Sequence, residues 1–156
     1  MTSKQDFTDE EWTRIRRAPL VAGVAISLAD PGGPIEVAKE TMATLRSATL
    51  PPSQEELLAA VALDVQALTQ HKQNPLGDFK PRGGQQVLEE LKAVNQLVTA
   101  KATPEEAEAF RGWLLAAAQA AADAGKEGGF LGFGGEQVSA GERRMLDQVR
   151  AALEMA

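Results

Sequence analysis

The chain has 156 residues, 44% of them hydrophobic, and it contains no cysteine. A chain of this length buries roughly 70% of its unfolded surface, so a core forms without disulfides, and the lack of cysteine excludes thiolate nucleophiles and Cys-ligated zinc. The formal net charge of −6 weighs against nucleic acid as a partner, because proteins bind the phosphate backbone mainly through Lys and Arg.

The chain offers few groups for proton transfer. His71 is the only histidine and tyrosine is absent, so catalysis would have to use carboxylates or a metal. We identify no catalytic constellation and predict that the protein is not an enzyme. Residues 1–7 are polar and charged, unlike a signal peptide, and the longest apolar stretch, 18–29, is too short to span a membrane. We therefore expect a cytoplasmic protein without a transmembrane segment.

The sequence predicts an all-α fold, a compact single-domain bundle of about seven helices. The predicted helices are 8–17, 19–30, 34–48, 53–71, 84–101, 104–124 and 139–155. Pro19 should separate the first from the second, because the residue before a proline is disfavoured in the helical conformation. No segment shows the sustained alternation of a strand.

Four of the helix starts carry a Ser or Thr followed three residues later by Glu. These pairs are Thr8/Glu11, Ser53/Glu56, Thr103/Glu106 and Ser139/Glu142. In such a capping box the hydroxyl accepts from the backbone N–H of the Glu, and the Glu carboxylate accepts from the N–H of the capping residue. Phe7 and Trp12 flank the first pair at the two positions of a hydrophobic staple.

One acidic residue and one basic cluster need an explanation. Asp64 falls at the edge of the apolar face of its helix and should find a partner, because a buried carboxylate without one is costly. Arg14, Arg16 and Arg17 form the only dense basic cluster, which we interpret as a solvated helix face rather than an anion site. Trp113 and Trp12 are interpreted as core residues.

The single helical domain is predicted to cover 1–156. Residues 72–83, with two prolines, are predicted to be a surface connection between the halves 7–71 and 84–156. Both halves show an apolar helix, an Asp, a Gly-containing turn and an acidic helix start. The halves are therefore either related to each other or alike by chance.

Short motifs in both halves resemble TerB-like domains, a family named for tellurite resistance and found in bacterial stress systems. Residues 7–12, 18–20 and 29–30 are similar to the opening of these domains, and 122–123 with 138–142 are similar to their second half. The first half departs from the family pattern at Pro31 and at the positions of its acids. The resemblance implies an all-helical fold of pseudo-twofold arrangement and a stress-associated role.

Five acidic residues are candidate ligands for a divalent cation. They are Asp30, Glu36, Glu40, Asp123 and Glu142. Each Asp is predicted at a helix C-terminus, where the macrodipole disfavours an anion, and oxygen-only ligands suit Ca²⁺ or Mg²⁺. The resemblance to TerB-like domains also implies metal binding through such acids. In the alternative interpretation no cofactor is bound: the Asp residues form local turns and Glu142 acts only as a cap.

The Gly-rich segment 128–135 is the other candidate site. It is not a phosphate-binding loop, because no Lys-Ser/Thr pair follows its glycines. Phe130, Leu131 and Phe133 within it either close over the end of the bundle or form an exposed apolar knob that docks a partner protein or a membrane surface.

These observations favour a non-enzymatic accessory or interaction module, stress-associated by resemblance, with weak divalent-cation binding. One alternative is a carboxylate-based, metal-dependent hydrolase, which would need at least three acids converging on one cation. Another is a structural domain that binds its partner through the 128–135 loop. A protein partner is expected, but neither its identity nor the oligomeric state follows from the sequence.

Overall fold

The computed structural model describes residues 2–29, 33–126 and 139–155. These ranges contain six α-helices, one short 3₁₀ helix and no strand, so the predicted all-α fold is confirmed with one helix fewer. The 3₁₀ helix is Lys4–Asp6, and the α-helices are α1 (Asp9–Ala29), α2 (Pro34–Thr49), α3 (Glu56–Gln70), α4 (Gly84–Lys101), α5 (Pro104–Lys126) and α6 (Ala140–Ala152).

The first two predicted helices form the single helix α1, so the predicted break at Pro19 is wrong. Proline in a helix interior removes one hydrogen bond and costs about 3 kcal/mol. Pro19 and the flanking Ile15, Leu20 and Val21 are all buried. Burying each large aliphatic side chain contributes about 1.5–3 kcal/mol, and together these contributions exceed the cost of the proline.

Helices α1 and α5 form the centre of the bundle, and each of them contacts all the other α-helices. Trp113 of α5 is fully buried, as predicted, and packs edge-on against Phe110 with ring centroids 6.1 Å apart. Its indole N–H donates to the carbonyl of Ser47 in α2 at 2.8 Å. Trp113 therefore fixes α2 onto α5 by both apolar packing and a directional bond.

Three of the four predicted capping boxes are confirmed, at the starts of α1, α5 and α6. The predicted hydrophobic staple is also present, with Phe7 and Trp12 ring centroids 6.0 Å apart. The fourth box, at Ser53, is wrong. Helix α3 begins at Glu56 with Glu55 as its N-cap, so Ser53 lies too far ahead, and its hydroxyl accepts only from the Glu55 N–H at 3.5 Å.

The N-terminal segment ties several helices together. Asp64 of α3 finds the partners that the sequence predicts, because its Oδ2 accepts from the Trp12 indole at 2.7 Å and from Lys4 Nζ at 3.3 Å. Thr2 donates both its backbone N–H and its hydroxyl to the buried carboxylate of Glu106 in α5. The segment is thus fastened to two helices by charged acceptors.

The arginine cluster is not the solvated helix face that the sequence predicts. Arg14 makes two hydrogen bonds to Glu90 of α4, at 2.7 and 3.2 Å, and these bonds raise the pKa of its guanidinium. Arg17 has only 13% of its side chain exposed, contacts Glu90 at 3.5 Å and lies over the Phe79 ring. The cluster therefore fastens α1 to α4 and to the connection ahead of it.

Candidate functional site

Helix α2 differs from an ordinary surface helix because polar side chains are buried on its inner face and apolar side chains are exposed on its outer face. Its buried side chains are Glu40, Thr44 and Ala48, spaced four residues apart on one face. Two of its large apolar side chains are strongly exposed, Ile35 at 75% and Met42 at 62%. Leu45 is the exception, because it is partly buried and packs against the core. A surface helix normally buries an apolar stripe and exposes its polar residues, so α2 calls for a functional explanation.

Within the part of the chain that the structure describes, half of the exposed large apolar side chains belong to this one helix. Among the described residues, the exposed large apolar side chains are Leu28, Ile35, Val37, Met42, Leu50 and Leu63. Three of these belong to α2 and a fourth, Leu50, is its C-cap. Single exposed apolar residues are normal, whereas a contiguous set marks a contact surface. Leu63 is also exposed but lies on α3, so it provides a control position for the exposed residues of α2.

Hydrogen bonds and close packing hold the polar face of α2 inside the bundle. The Ser27 hydroxyl of α1 donates to Glu40 Oε2 at 2.6 Å, and the Thr44 hydroxyl donates to the Glu40 carbonyl at 2.7 Å. Thr44 also packs against Gly23 of α1, which has no side chain in its way. Buried polar groups are tolerated when they are hydrogen-bonded, which explains how α2 can turn this face inward.

A groove of about 580 Å³ runs along α2 beside the end of α5, and we call it the α2 groove. Its apolar lining comes from Ile35, Ala38, Met42 and Ala43 of α2 and from Ala124 of α5. A neighbouring groove of about 370 Å³ shares part of this lining and extends it to Leu50. Ile35 and Met42, the two most exposed apolar residues of α2, therefore border a concave surface.

Two cations, Lys39 and Arg46, line the α2 groove, and both are exposed. Arg46 forms no ion pair with any residue in the described ranges. Asp123 lines the neighbouring groove, where its carboxylate accepts from Gln119 at 2.9 Å. The α2 groove thus combines an apolar floor with positive charge, a composition suited to binding rather than to proton transfer.

The structure brings two of the five predicted metal ligands together. Glu36 and Glu40 lie one turn apart on α2, against the last turn of α5. A Cβ atom placed on Gly125 would lie 2.9 Å from Glu40 Oε1 and 3.3 Å from Glu36 Oε1, so both oxygens approach the same point of α5. This close approach also explains why a glycine occupies position 125.

Of the other predicted ligands, Asp123 and Glu142 do not join this pair. Asp123 is exposed and bonded to Gln119, and Glu142 is held in the capping box of α6. Asp30 lies outside the described residues. Within the described ranges no three His, Cys, Asp or Glu side chains lie together in a group that could hold a metal ion. The five-residue metal site stays a prediction.

Phe130, Leu131 and Phe133, the predicted docking residues, also lie outside the described residues. The sequence did not single out the α2 groove, although a signal was present. Positions 40, 44 and 48 share one face of a helix, as do 35 and 42, and only the first set is rich in polar residues. The pattern is compatible with the burial of either face, and the packing of Thr44 against Gly23 determines which face is buried.

No helix in the described part of the chain combines the length and apolar character needed to cross a bilayer. Comparison with profiles of known protein families, with curated proteins and with solved structures finds no match to this chain.

Proposed function

We propose that the protein is a non-enzymatic accessory module that binds a protein partner through the α2 groove. The observation that carries this proposal is the distribution of side chains on α2: Glu40 and Thr44 are buried, whereas Ile35 and Met42 are exposed. Burying an exposed Ile or Met side chain against a partner contributes about 1.5–3 kcal/mol. The stress-associated role in this proposal is supported only by the resemblance to TerB-like domains.

Site-specific photo-crosslinking tests the partner-binding function. We expect a chain carrying benzoyl-phenylalanine at Met42 to give a discrete, light-dependent adduct in its native cells, because this position would contact the partner. The same amino acid at Leu63, which is similarly exposed at 64%, should give none. Adducts of equal yield from both positions would contradict the proposal.

The partner identified from the adduct provides the quantitative test. Purified partner should bind the chain carrying Ile35→Ser and Met42→Ser at least about tenfold more weakly, since two anchoring side chains are lost. Leu63→Ser, which removes an exposed apolar side chain elsewhere, should leave its affinity unchanged. Circular dichroism of each variant would establish that the fold is intact.

A second candidate function, weak binding of a divalent cation, is supported by the approach of Glu36 and Glu40 to one point of α5. Two carboxylates at this spacing suit Ca²⁺ or Mg²⁺, with water completing the shell. A cation held at ten times its Kd would stabilise the fold by about 1.4 kcal/mol.

Thermal melts of chelator-treated protein test cation binding. We expect Ca²⁺ or Mg²⁺ to raise the melting temperature of the native chain but not that of Glu36→Gln, which lacks one ligand charge. The matched control is Glu56→Gln, which removes an exposed carboxylate in the first turn of α3. A shift that is absent from the native chain, or lost equally in both variants, would rule the pair out as a cation site.

A further inference from the structure

The α2 groove carries two parallel rows of side chains with a spacing of seven residues. Ile35 and Met42 form an apolar row, and Lys39 and Arg46 form a basic row. Seven residues are nearly two helical turns, so the members of a row lie about 10 Å apart along the helix axis. Between packed helices this spacing places apolar side chains at the seam and charges at its edge, where the charges select the partner.

The charge at the edge of the groove is opposite in sign to that of the whole protein. The chain carries a net charge of −6, yet the charged side chains lining the α2 groove in the described ranges, Lys39 and Arg46, are both cations. An acidic partner is therefore attracted at this groove and repelled by the protein as a whole. Such an arrangement gives specificity to the binding site.

We propose that the α2 groove binds an amphipathic α-helix whose apolar stripe is flanked by Glu or Asp. This inference rests on the proposed function and names the chemistry of its partner. Ala38, Ala43 and Ala124 line the groove with small side chains, which leaves room for a second helix to approach closely. Its acidic edge would pair with Arg46, which forms no ion pair in the described ranges, in the helix-in-groove mode of recognition.

Two other occupants fit the groove less well. In a symmetric dimer through this face, a second copy would bring its own Lys39 and Arg46 toward those of the first, and both copies carry the same net charge. A bilayer surface is flat, whereas this surface is concave and is bordered by α5 as well as α2. A helix with acidic edges fits both the concave shape of the α2 groove and the positive charge of the two cations that line it.

Binding of two synthetic helical peptides to the full chain tests the inference. Both are labelled with fluorescein and share one stripe of Leu at heptad positions, and one has Glu at its edges while the other has Lys. In about 50 mM salt, where the Debye length is more than 10 Å, we expect the Glu peptide to bind at least tenfold more tightly. Long-range attraction to a protein of net charge −6 would favour the Lys peptide, so the result separates local from overall charge.

Charge-reversal variants complete the test. Arg46→Glu should abolish the preference for the Glu peptide, whereas Arg82→Glu, the same change at an exposed position ahead of α4, should retain it. Equal binding of both peptides, no binding of either, or the same preference in both variants would overturn the inference. Self-association in sedimentation equilibrium that Met42→Ser removes would instead assign the groove to a second copy. A partner crosslinked at position 42 would uphold the proposed function in each of these cases.

Discussion

Replacing Gly23 with alanine should lower the free energy of unfolding by about 2 kcal/mol, because α1 and α2 touch at this residue. A Cβ atom on Gly23 would lie 2.7 Å from the Cβ of Thr44 and would also overlap its hydroxyl and methyl groups. Alanine favours the helix by about 1 kcal/mol over glycine, but overpacking a buried contact costs more. For a chain of this length we expect a fall of about 4–8 °C in the melting temperature.

A second glycine in a helix provides the matched control for this prediction. Gly112 of α5 has open space where its Cβ would stand, so Gly112→Ala should stabilise the protein by about 0.5–1 kcal/mol through helix propensity alone. The double variant Gly23→Ala/Thr44→Ala should recover part of the loss, because two of the three overlapping atoms are removed. Urea unfolding of the four chains measures these differences. A gain in stability from Gly23→Ala would show that the helices separate without cost.

This contact between α1 and α2 matters for function because it decides which face of α2 is buried. Thr44 can face inward only where α1 offers Gly23, and Glu40 only where Ser27 donates a hydrogen bond. A variant that pushes α2 away from α1 should therefore also weaken any binding at the α2 groove. The face of α2 that packs in the core and the face proposed to bind a partner belong to the same helix, so a change in the packing alters the contact surface.

Local signals in the sequence predict the fold well where one segment determines its own structure. Thr8, Thr103 and Ser139 begin their helices as predicted, because a capping box involves only four consecutive residues. Pro19 is the counterexample, since its local preference is overridden by the buried side chains on both sides of it. Helix propensity predicts the wrong structure where the burial of side chains contributes more free energy than the unfavourable residue costs.

The candidate site could be predicted only in part, for the same physical reason. Glu36 and Glu40 lie four residues apart, so any helix places them on one face, and the sequence suffices to pair them. The sequence pattern groups Asp123 with them, but its carboxylate accepts a hydrogen bond from Gln119 on the exposed side of α5. The spacing within α2 leaves two faces that could be buried, and the choice between them depends on Gly23 and Ser27 of α1, which are distant in the chain.

The carboxylate of Glu106 is buried and accepts three hydrogen bonds, so its removal should be costly. It is 3% exposed and accepts from the Thr2 N–H at 3.1 Å, the Thr2 hydroxyl at 2.7 Å and the Thr103 N–H at 3.3 Å. Glu106→Ala would leave these donors without their acceptor, and each buried donor left unsatisfied costs about 1–3 kcal/mol. We expect a loss of about 3 kcal/mol in the free energy of unfolding, which is the lower end of the sum over three donors.

The same carboxylate should make stability depend on pH in a defined window. Burial alone would raise the pKa of Glu106, but the hydrogen bonds from Thr2 and Thr103 outweigh it and hold the pKa below the ordinary value of 4.5. A group whose pKa is lowered by folding stabilises the protein above its unfolded pKa and loses that contribution as the pH falls through the folded value. The difference in unfolding free energy between the native chain and Glu106→Ala should therefore be constant near neutral pH and shrink below pH 4.5.

Glu105 supplies the control for Glu106, since it is the adjacent acid in the same helical turn and is exposed. Glu105→Ala removes the same charge near the N-terminus of α5 but no buried bond, so it should cost no more than about 1 kcal/mol through the helix dipole. Urea unfolding of both variants from pH 7 down to pH 3 separates the two effects. Equal losses would mean that Glu106 acts only through the dipole. A larger loss in Glu106→Ala that narrows with acid would show that its hydrogen bonds fasten the N-terminal segment to α5.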